Sequence, residues 1–189
     1  MDMFEGVGRR SDERTGSFLD LGQHGLNGWE RKLLFRNNGD GTFTDVAWVN
    51  GADLVADGRG LARLDADGDG REDLVLRNYH QPAALLHHND SGGHRLALRL
   101  IGVQSNRDAV GARIRVRTSG HWQTRVVGAG SGYLSGHSLI QHIGLGSAAT
   151  ADAVEVTWPT GDVLQLGPLA GDRRYTIVEG TAEAIPTRV

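Results

Sequence analysis

Beyond residue 94 the hydrophobic positions fall on every second residue. Leu96, Leu98 and Leu100 alternate with Ala97, Arg99 and Ile101, and Ala112, Ile114 and Val116 alternate with Arg113, Arg115 and Arg117. A period of two marks a strand with one buried face, because successive side chains of an extended chain point to opposite sides. The arginines are therefore expected to face outward. Apolar runs at 123–127, 139–145, 153–158, 163–166 and 174–178 predict further strands. The segment Trp158-Pro-Thr-Gly-Asp162 predicts a hairpin turn, with Pro159 presetting φ and Gly161 able to take φ > 0. About seven strands at this spacing predict a β-sandwich or jelly-roll-like domain. It is placed at residues 94–181, with 182–189 as a tail.

Upstream the pattern comes in shorter pieces. Lys32 to Asn37 reads as a strand, Asn38-Gly-Asp-Gly as a turn and Thr42 to Val46 as its return partner, which together predict a hairpin. Residues 47–59 leave room for one short helical turn, and 61–64, 73–78 and 83–88 predict three more strands. The polar and glycine-rich stretch Asn89-Asp-Ser-Gly-Gly-His94 predicts a domain boundary. Residues 1–16 carry Arg9, Arg10, Asp12, Glu13 and Arg14 without periodicity and predict a loose arm, order beginning near Phe18; residues 17–90 form the N-terminal region.

Composition agrees with many short strands joined by tight turns: 28 glycines stand against 4 prolines in 189 residues. An all-β fold is expected. A net charge of -3 and an aromatic share of 6% argue against a general nucleic-acid binder, which would show a basic stripe. The chain has no cysteine, so disulfides, thiolate metal sites and cysteine catalysis are excluded. No run approaches the roughly 18 apolar residues of a membrane span, and the first residues lack the apolar stretch of a secretion signal. On that reading the chain is either cytoplasmic or written without its signal. Metal, glycan, protein or small molecule are the expected partners.

The densest chemistry lies at Asp65-Ala-Asp-Gly-Asp-Gly-Arg-Glu-Asp-Leu74. Asp65, Asp67, Asp69 and Asp73 occupy positions 1, 3, 5 and 9 of a calcium loop, and Arg71 at position 7 can offer its backbone carbonyl. Carboxylates this close repel one another when bare; a hard dication relieves the repulsion, and Gly68 and Gly70 permit the tight turn. Calcium is expected in preference to magnesium. Leu76 stands where an EF-hand has its bidentate Glu, and the flanks read as strands, so the unit is strand, loop, strand. The alternative is a solvated acidic turn without metal.

Other candidates carry simpler readings. Asn37, Asn38, Asp40 and Asp45 surround the first hairpin turn and could hold a second cation, but Asn-Gly and Asp-Gly are also what such turns require. Asp20 and Asp57 could add to either site. His80, His87, His88 and His94 crowd together, yet adjacent His87 and His88 point to opposite faces of a strand. His137, His142 and Asp108 with Ser131, Tyr133, Ser135 or Ser138 could form a nucleophile and base, although no Gly-x-Ser-x-Gly elbow is present. The stripe Arg113, Arg115, Arg117, extended by Arg125, could hold a sulfated glycan or acidic partner. Trp122 and Tyr133 could stack on sugars, whereas Trp158 fits an inward position beside Val154 and Val156.

Two sets of motifs carry a family resemblance over roughly residues 30 to 180. Leu34-Phe-Arg-Asn-Asn-Gly-Asp-Gly-Thr-Phe-Thr-Asp-Val46 and Asp65 to Asn78 resemble the FG-GAP or VCBS type of β-propeller repeat. Asn106-Arg-Asp-Ala-Val-Gly-Ala-Arg113, Gly128-Ala-Gly-Ser-Gly-Tyr-Leu-Ser135, Ile143-Gly-Leu-Gly146 and Val154-Glu-Val-Thr-Trp-Pro-Thr-Gly161 resemble, in order, the ASPIC/UnbV domain that closes proteins of the cartilage acidic protein family. The resemblance implies a calcium-binding, β-rich and mostly extracytoplasmic protein. Residues 18–90 supply about one and a half blades, too few to close a propeller ring. Their partial sheet is therefore expected to pack on the C-terminal β domain, unless the chain completes its core as a homodimer. The preferred function is a calcium-binding recognition or scaffold module with metal in a structural role. The alternatives are a small stand-alone enzyme, cyclising or hydrolysing a small molecule in a cleft between the two segments, and a carbohydrate-binding module, which would need exposed Trp29, Trp48 and Trp122.

Overall fold

The computed structural model describes residues 29–89 and 92–187, and every regular element among them is a β-strand. The arm at 1–16, the start of order near Phe18, and Asp20 lie outside the described residues. No helix among the described residues is long and apolar enough to cross a membrane. The contacts divide the chain into two units: described residues 29–59 with 77–83, and 60–76 with 84 onward.

The first unit is built from short pieces. β1 (Glu30–Arg31), β2 (Phe35–Asn37), β3 (Phe43–Asp45) and β4 (Val55–Ala56) form two antiparallel pairs, β1 with β4 and β2 with β3. The second pair is the expected hairpin, shorter than the apolar run suggests. Its turn holds Gly39 and Gly41 at φ 83 and 86. The Asn37 side chain accepts the Gly39 N–H at 2.8 Å, and Asp40 accepts the Thr42 N–H at 2.9 Å. Residues 46–50 make the single helical turn, Asn50 N–H donating to the Val46 carbonyl at 3.2 Å. Phe35, Phe43, Trp29 and Trp48 are all exposed.

The second unit contains β5 (Gly58–Leu64) from Gly60 on, β6 (Asp73–Asn78) to Leu76, and β7 (Ala84–Leu86), in the sheet order β5-β6-β7. It continues with β8 (His94–Ile101), β9 (Arg113–Thr118), β10 (His121–Val126), β11 (Gln141–Gly146), β12 (Thr150–Ala151), β13 (Ala153–Thr157), β14 (Val163–Leu166), β15 (Leu169–Ala170), β16 (Arg173–Val178) and β17 (Ala184–Thr187). Two four-stranded sheets, β10-β9-β13-β14 and β11-β8-β16-β17, make the sandwich, with β12 and β15 as a small added pair. β8 and β16 run parallel; the other ladders of both sheets are antiparallel.

The core is the alternation read from the sequence. Leu96, Leu98 and Leu100 from β8, Ile114 and Val116 from β9, Val154 and Val156 from β13 and Ile177 from β16 form one buried cluster, with Trp158 at its edge. Each such side chain contributes about 1.5–3 kcal/mol on full burial. Arg113 and Arg117 face outward as the alternation requires. One difference lies at the end. Residues 182–189, expected as a tail, contain β17, which pairs with β16, and Ala184 packs on the core. Pro186 cannot donate to a ladder, which suits an edge strand and obscures the strand pattern.

The sandwich also encloses a buried carboxylate. Glu179, 5% exposed, accepts the N–H groups of Val103, Gln104 and Ser105 on Oε2 at 2.7, 2.8 and 2.7 Å. The Ser105 hydroxyl donates to Oε1 at 2.7 Å. Burial pushes this carboxyl up, but the Ser105 hydroxyl and the three N–H groups outweigh it and hold the pKa at about 2, against an ordinary 4.5. The loop passes so close to itself that a Cβ on Gly102 would meet the Asn106 carbonyl oxygen at 2.1 Å.

Candidate metal centre

The loop 65–73 joins β5 to β6 and folds around its own carboxylates. Asp65 accepts the Gly68 N–H on Oδ1 at 2.8 Å and the Gly70 N–H on Oδ2 at 2.9 Å. Asp67 accepts the Asp69 N–H at 3.1 Å and Asp69 the Arg71 N–H at 2.8 Å. Asp73, 1% exposed, accepts the Ala66 N–H at 2.9 Å and the His88 N–H at 2.8 Å. These bonds turn the backbone inward, and Gly68 and Gly70 sit at φ 80 and 86, where a side chain would be strained.

Two overlapping groups of donors result. Oxygens of Asp65, Asp67 and Asp73 lie within 4.8 Å of one another, and so do donors of Asp67, Asp69 and His87. Asp67 belongs to both. Asp69 is drawn toward the second group, where the Arg71 guanidinium pairs with its Oδ2 at 2.6 Å. The donor chemistry suits a hard dication: carboxylate oxygens at alternate positions, with the Arg71 carbonyl available at position 7.

His87 is the member that spacing along the loop does not reveal. The β6–β7 register sets Leu74 opposite Leu86 and Val75 opposite Leu85, so its next step places Asp73 beside His87. His87 Nδ1 lies 3.0 Å from Asp73 Oδ1, and Nε2 lies 3.6 Å from Asp67 Oδ2. Burial raises the Asp73 carboxyl, but the His88 and Ala66 N–H groups and the His87 ring hold it below the usual carboxylate range. Burial likewise raises Asp69, and the Arg71 N–H and guanidinium overcome it.

Two sets of contacts tie the loop and β5 to the rest of the second unit. Arg95, on β8, donates from Nε to the Asp69 carbonyl at 3.0 Å and again from Nη2. His142 Nδ1, on β11, lies 3.0 Å from the Gly70 carbonyl. Arg95 pairs with Gly144 and Ala97 with His142, so these residues share the outer face of their sheet. The outer edge of β5 is covered as well. Leu61 N–H donates to the Ser135 hydroxyl at 3.0 Å, Arg63 N–H to His137 Nδ1 at 3.3 Å, and Ser138 N–H to the Arg63 carbonyl at 3.0 Å. Covering an edge in this way satisfies its free N–H groups and blocks strand addition.

The remaining candidates separate. Ser135 and His137 are spent on β5. His94 pairs with Asp172 at 2.6 Å. In the first unit Asp45 pairs with Arg31 and accepts the Ala47 N–H at 3.0 Å. Asp40 is bound by Thr42, and Asp57 by Arg59 at 2.8 Å. Neither Asp40 nor Asp45 belongs to a converging donor group among the described residues.

Residues 102–184 match the family model described as ASPIC and UnbV. The match runs from the end of β8 to the start of β17 and so covers most of the sandwich. The chain is also similar to cartilage acidic protein 1 from Homo sapiens, 30% identical over 148 residues, which are 75% of this chain and 22% of that protein. The Mus musculus protein of the same name is 31% identical over 155 residues, 78% of this chain and 23% of the relative. The Xenopus tropicalis protein is 43% identical over 73 residues, 38% of this chain and 11% of the relative. The chain thus spans less than a quarter of the length of each. Both mammalian similarities are longer than the segment that matches the family model and include sequence outside it.

Proposed function

We propose that the loop 65–73 holds a calcium ion in a structural role, and that the chain is a calcium-dependent β-rich recognition or scaffold module. The observation that carries this reading is the approach of Asp65, Asp67 and Asp73 oxygens to within 4.8 Å. Asp65, Asp67, Asp69 and Asp73 would supply carboxylates and Arg71 its carbonyl. Such an irregular all-oxygen set favours calcium over magnesium, which demands near-ideal octahedral geometry. The role of the ion would be to neutralise the carboxylates and hold β5 and β6 at the loop. In this reading residues 17–90 are an FG-GAP or VCBS type of repeat region. The setting would be an extracytoplasmic one, where modules of this kind bind calcium at about 10⁻⁴–10⁻³ M.

Elemental analysis of the purified protein, with melting curves in calcium, magnesium and chelator, tests the proposal. Calcium near one equivalent and a chelator-sensitive midpoint are expected. A midpoint indifferent to all three conditions would remove the metal from the reading.

A second reading, glycan recognition, is favoured by the exposure of Trp29, Trp48 and Trp122. Trp122 lies on β10 with the Arg115 and Arg117 guanidinium groups 4.4 and 5.7 Å from its ring. Arg115 lies over the ring and pairs with Glu155 at 3.2 Å, so Arg117 is the cation at this aromatic side chain that would meet a sugar bearing sulfate or carboxylate groups.

A further inference from the structure

Beside the acidic loop, and within the second unit, lies a cleft of about 280 Å³ with the opposite charge. Its lining includes Arg71, Arg95 and Arg125 together with His88, His94 and His142; Glu72 is the carboxylate among them. Of the three guanidinium groups, Arg71 is offset by its pair with Asp69, while Arg95 and Arg125 are held by bonds that leave much of their charge standing. Arg95 donates to a backbone carbonyl, that of Asp69. Arg125 donates to the Thr124 carbonyl at 3.0 Å. His142 is likewise oriented by a carbonyl, that of Gly70. Glu72 is already engaged by Arg63 at 3.2 Å, and the Asp69 carboxylate by Arg71. A carbonyl orients a guanidinium without neutralising it, so the cleft has fixed donors and a deficit of negative charge.

Two details indicate that the donors are prearranged. His142 donates through Nδ1 to a carbonyl, which sets its ring and leaves the buried Nε2 of the neutral ring as an unpartnered acceptor. The Nε of Arg71 is buried and unpartnered too. Gly93 and Gly144 form part of the wall and present no side chain to a ligand. The two strands that carry Arg125 and His142 are linked beside the cleft by Gln123, whose side chain donates to the Gly144 carbonyl at 2.7 Å.

We infer that this cleft binds the oxyanion group of a small molecule, a carboxylate or a phosphate or sulfate ester, between Arg125 and Arg95. The volume accommodates a small organic anion and not a folded partner. The donors Arg95 and Arg125 belong to β8 and β10, and the loop takes part by orienting Arg95 through the Asp69 carbonyl.

The test is titration of the full chain with phosphate, sulfate and citrate at constant ionic strength, followed by amide chemical shifts. Arg125 is exposed and on an edge strand, so Arg125→Gln should leave the fold intact. Arg113→Gln, on the outward face of the neighbouring strand, is the control for general surface charge. Saturable binding by at least one anion is expected, weakened about tenfold by Arg125→Gln and less than about twofold by Arg113→Gln. The preferred anion then identifies the ester or carboxylate. Absence of saturation for all three anions, or equal losses in the two variants, would overturn the assignment. Melting curves of both variants in calcium and in chelator show separately whether the loop still responds to metal.

Discussion

Arg95 Nε lies 3.0 Å from the carbonyl oxygen of Asp69. The side chain leaves the outer face of the sandwich and grips the backbone of the acidic loop at the residue whose carboxylate turns the other way, to Arg71. The loop is thereby fixed on both of its sides, by its own carboxylates within and by β8 without. Arg95→Met keeps the stem length and removes the charged donor. A loss of about 1–3 kcal/mol is expected, and hydrogen exchange should rise at residues 66–71 more than in β9 or β13.

Asp67 is shared by both converging donor groups. Asp67→Ala should therefore abolish the calcium-dependent rise in melting temperature, leaving the variant indifferent to chelator. At calcium a hundredfold above the dissociation constant, the parent should gain about 2.7 kcal/mol that the variant lacks. If parent and variant respond alike, the ion is bound elsewhere.

Glu179 is expected to make the sandwich sensitive to acid. Its folded pKa is about 2 and its ordinary value 4.5. A depressed folded value contributes stability that is fully present above the unfolded pKa and is lost as pH falls toward the folded one. Stability should hold above about pH 5 and decline between pH 4.5 and 2. Glu179→Gln should melt lower than the parent at pH 7, with the difference shrinking as the pH approaches 2. A difference that stays constant over that range would assign the effect to packing.

The guanidinium of Arg115 lies 4.4 Å from the Trp122 ring. If this face takes charged sugars, a sulfated oligosaccharide should quench tryptophan fluorescence saturably, and Trp122→Ala should remove that response. A cost of about 0.5–2 kcal/mol in binding is the scale of an aromatic–cation contact. Retention of the full response by the variant would exclude this face.

The sandwich was largely legible because its strands obey a strict period of two: Leu96, Leu98, Leu100 and Ile114, Val116 are buried where the alternation places them. Trp158 is inside for the same reason. The small strands β12, β15 and β17 carry no such signal, being two residues long or interrupted by Pro186. In the loop, the positions of Asp65, Asp67, Asp69 and Asp73 follow from local spacing and glycine placement. The contributions of His87, Arg95 and His142 do not, because each depends on which strand lies opposite which. The β6–β7 register was the signal that could have located His87, and the length of the β7 strand was too short to set it from sequence. Ser135 and His137 carried residue types suited to catalysis, but their side chains meet the N–H groups of β5.

The parallel pairing of β8 with β16 has a consequence for synthesis. Leu98 leaves the ribosome well before Tyr175, its register partner in a much later strand, and waits for it. Until then β8 has β11 paired antiparallel on one hydrogen-bonding edge and nothing on the other. Closing so long a loop is entropically costly and slow. The domain is therefore expected to complete itself only after translation of residues 173–178, and nascent chains stalled before that point should bind chaperones and be cut by protease throughout the sandwich.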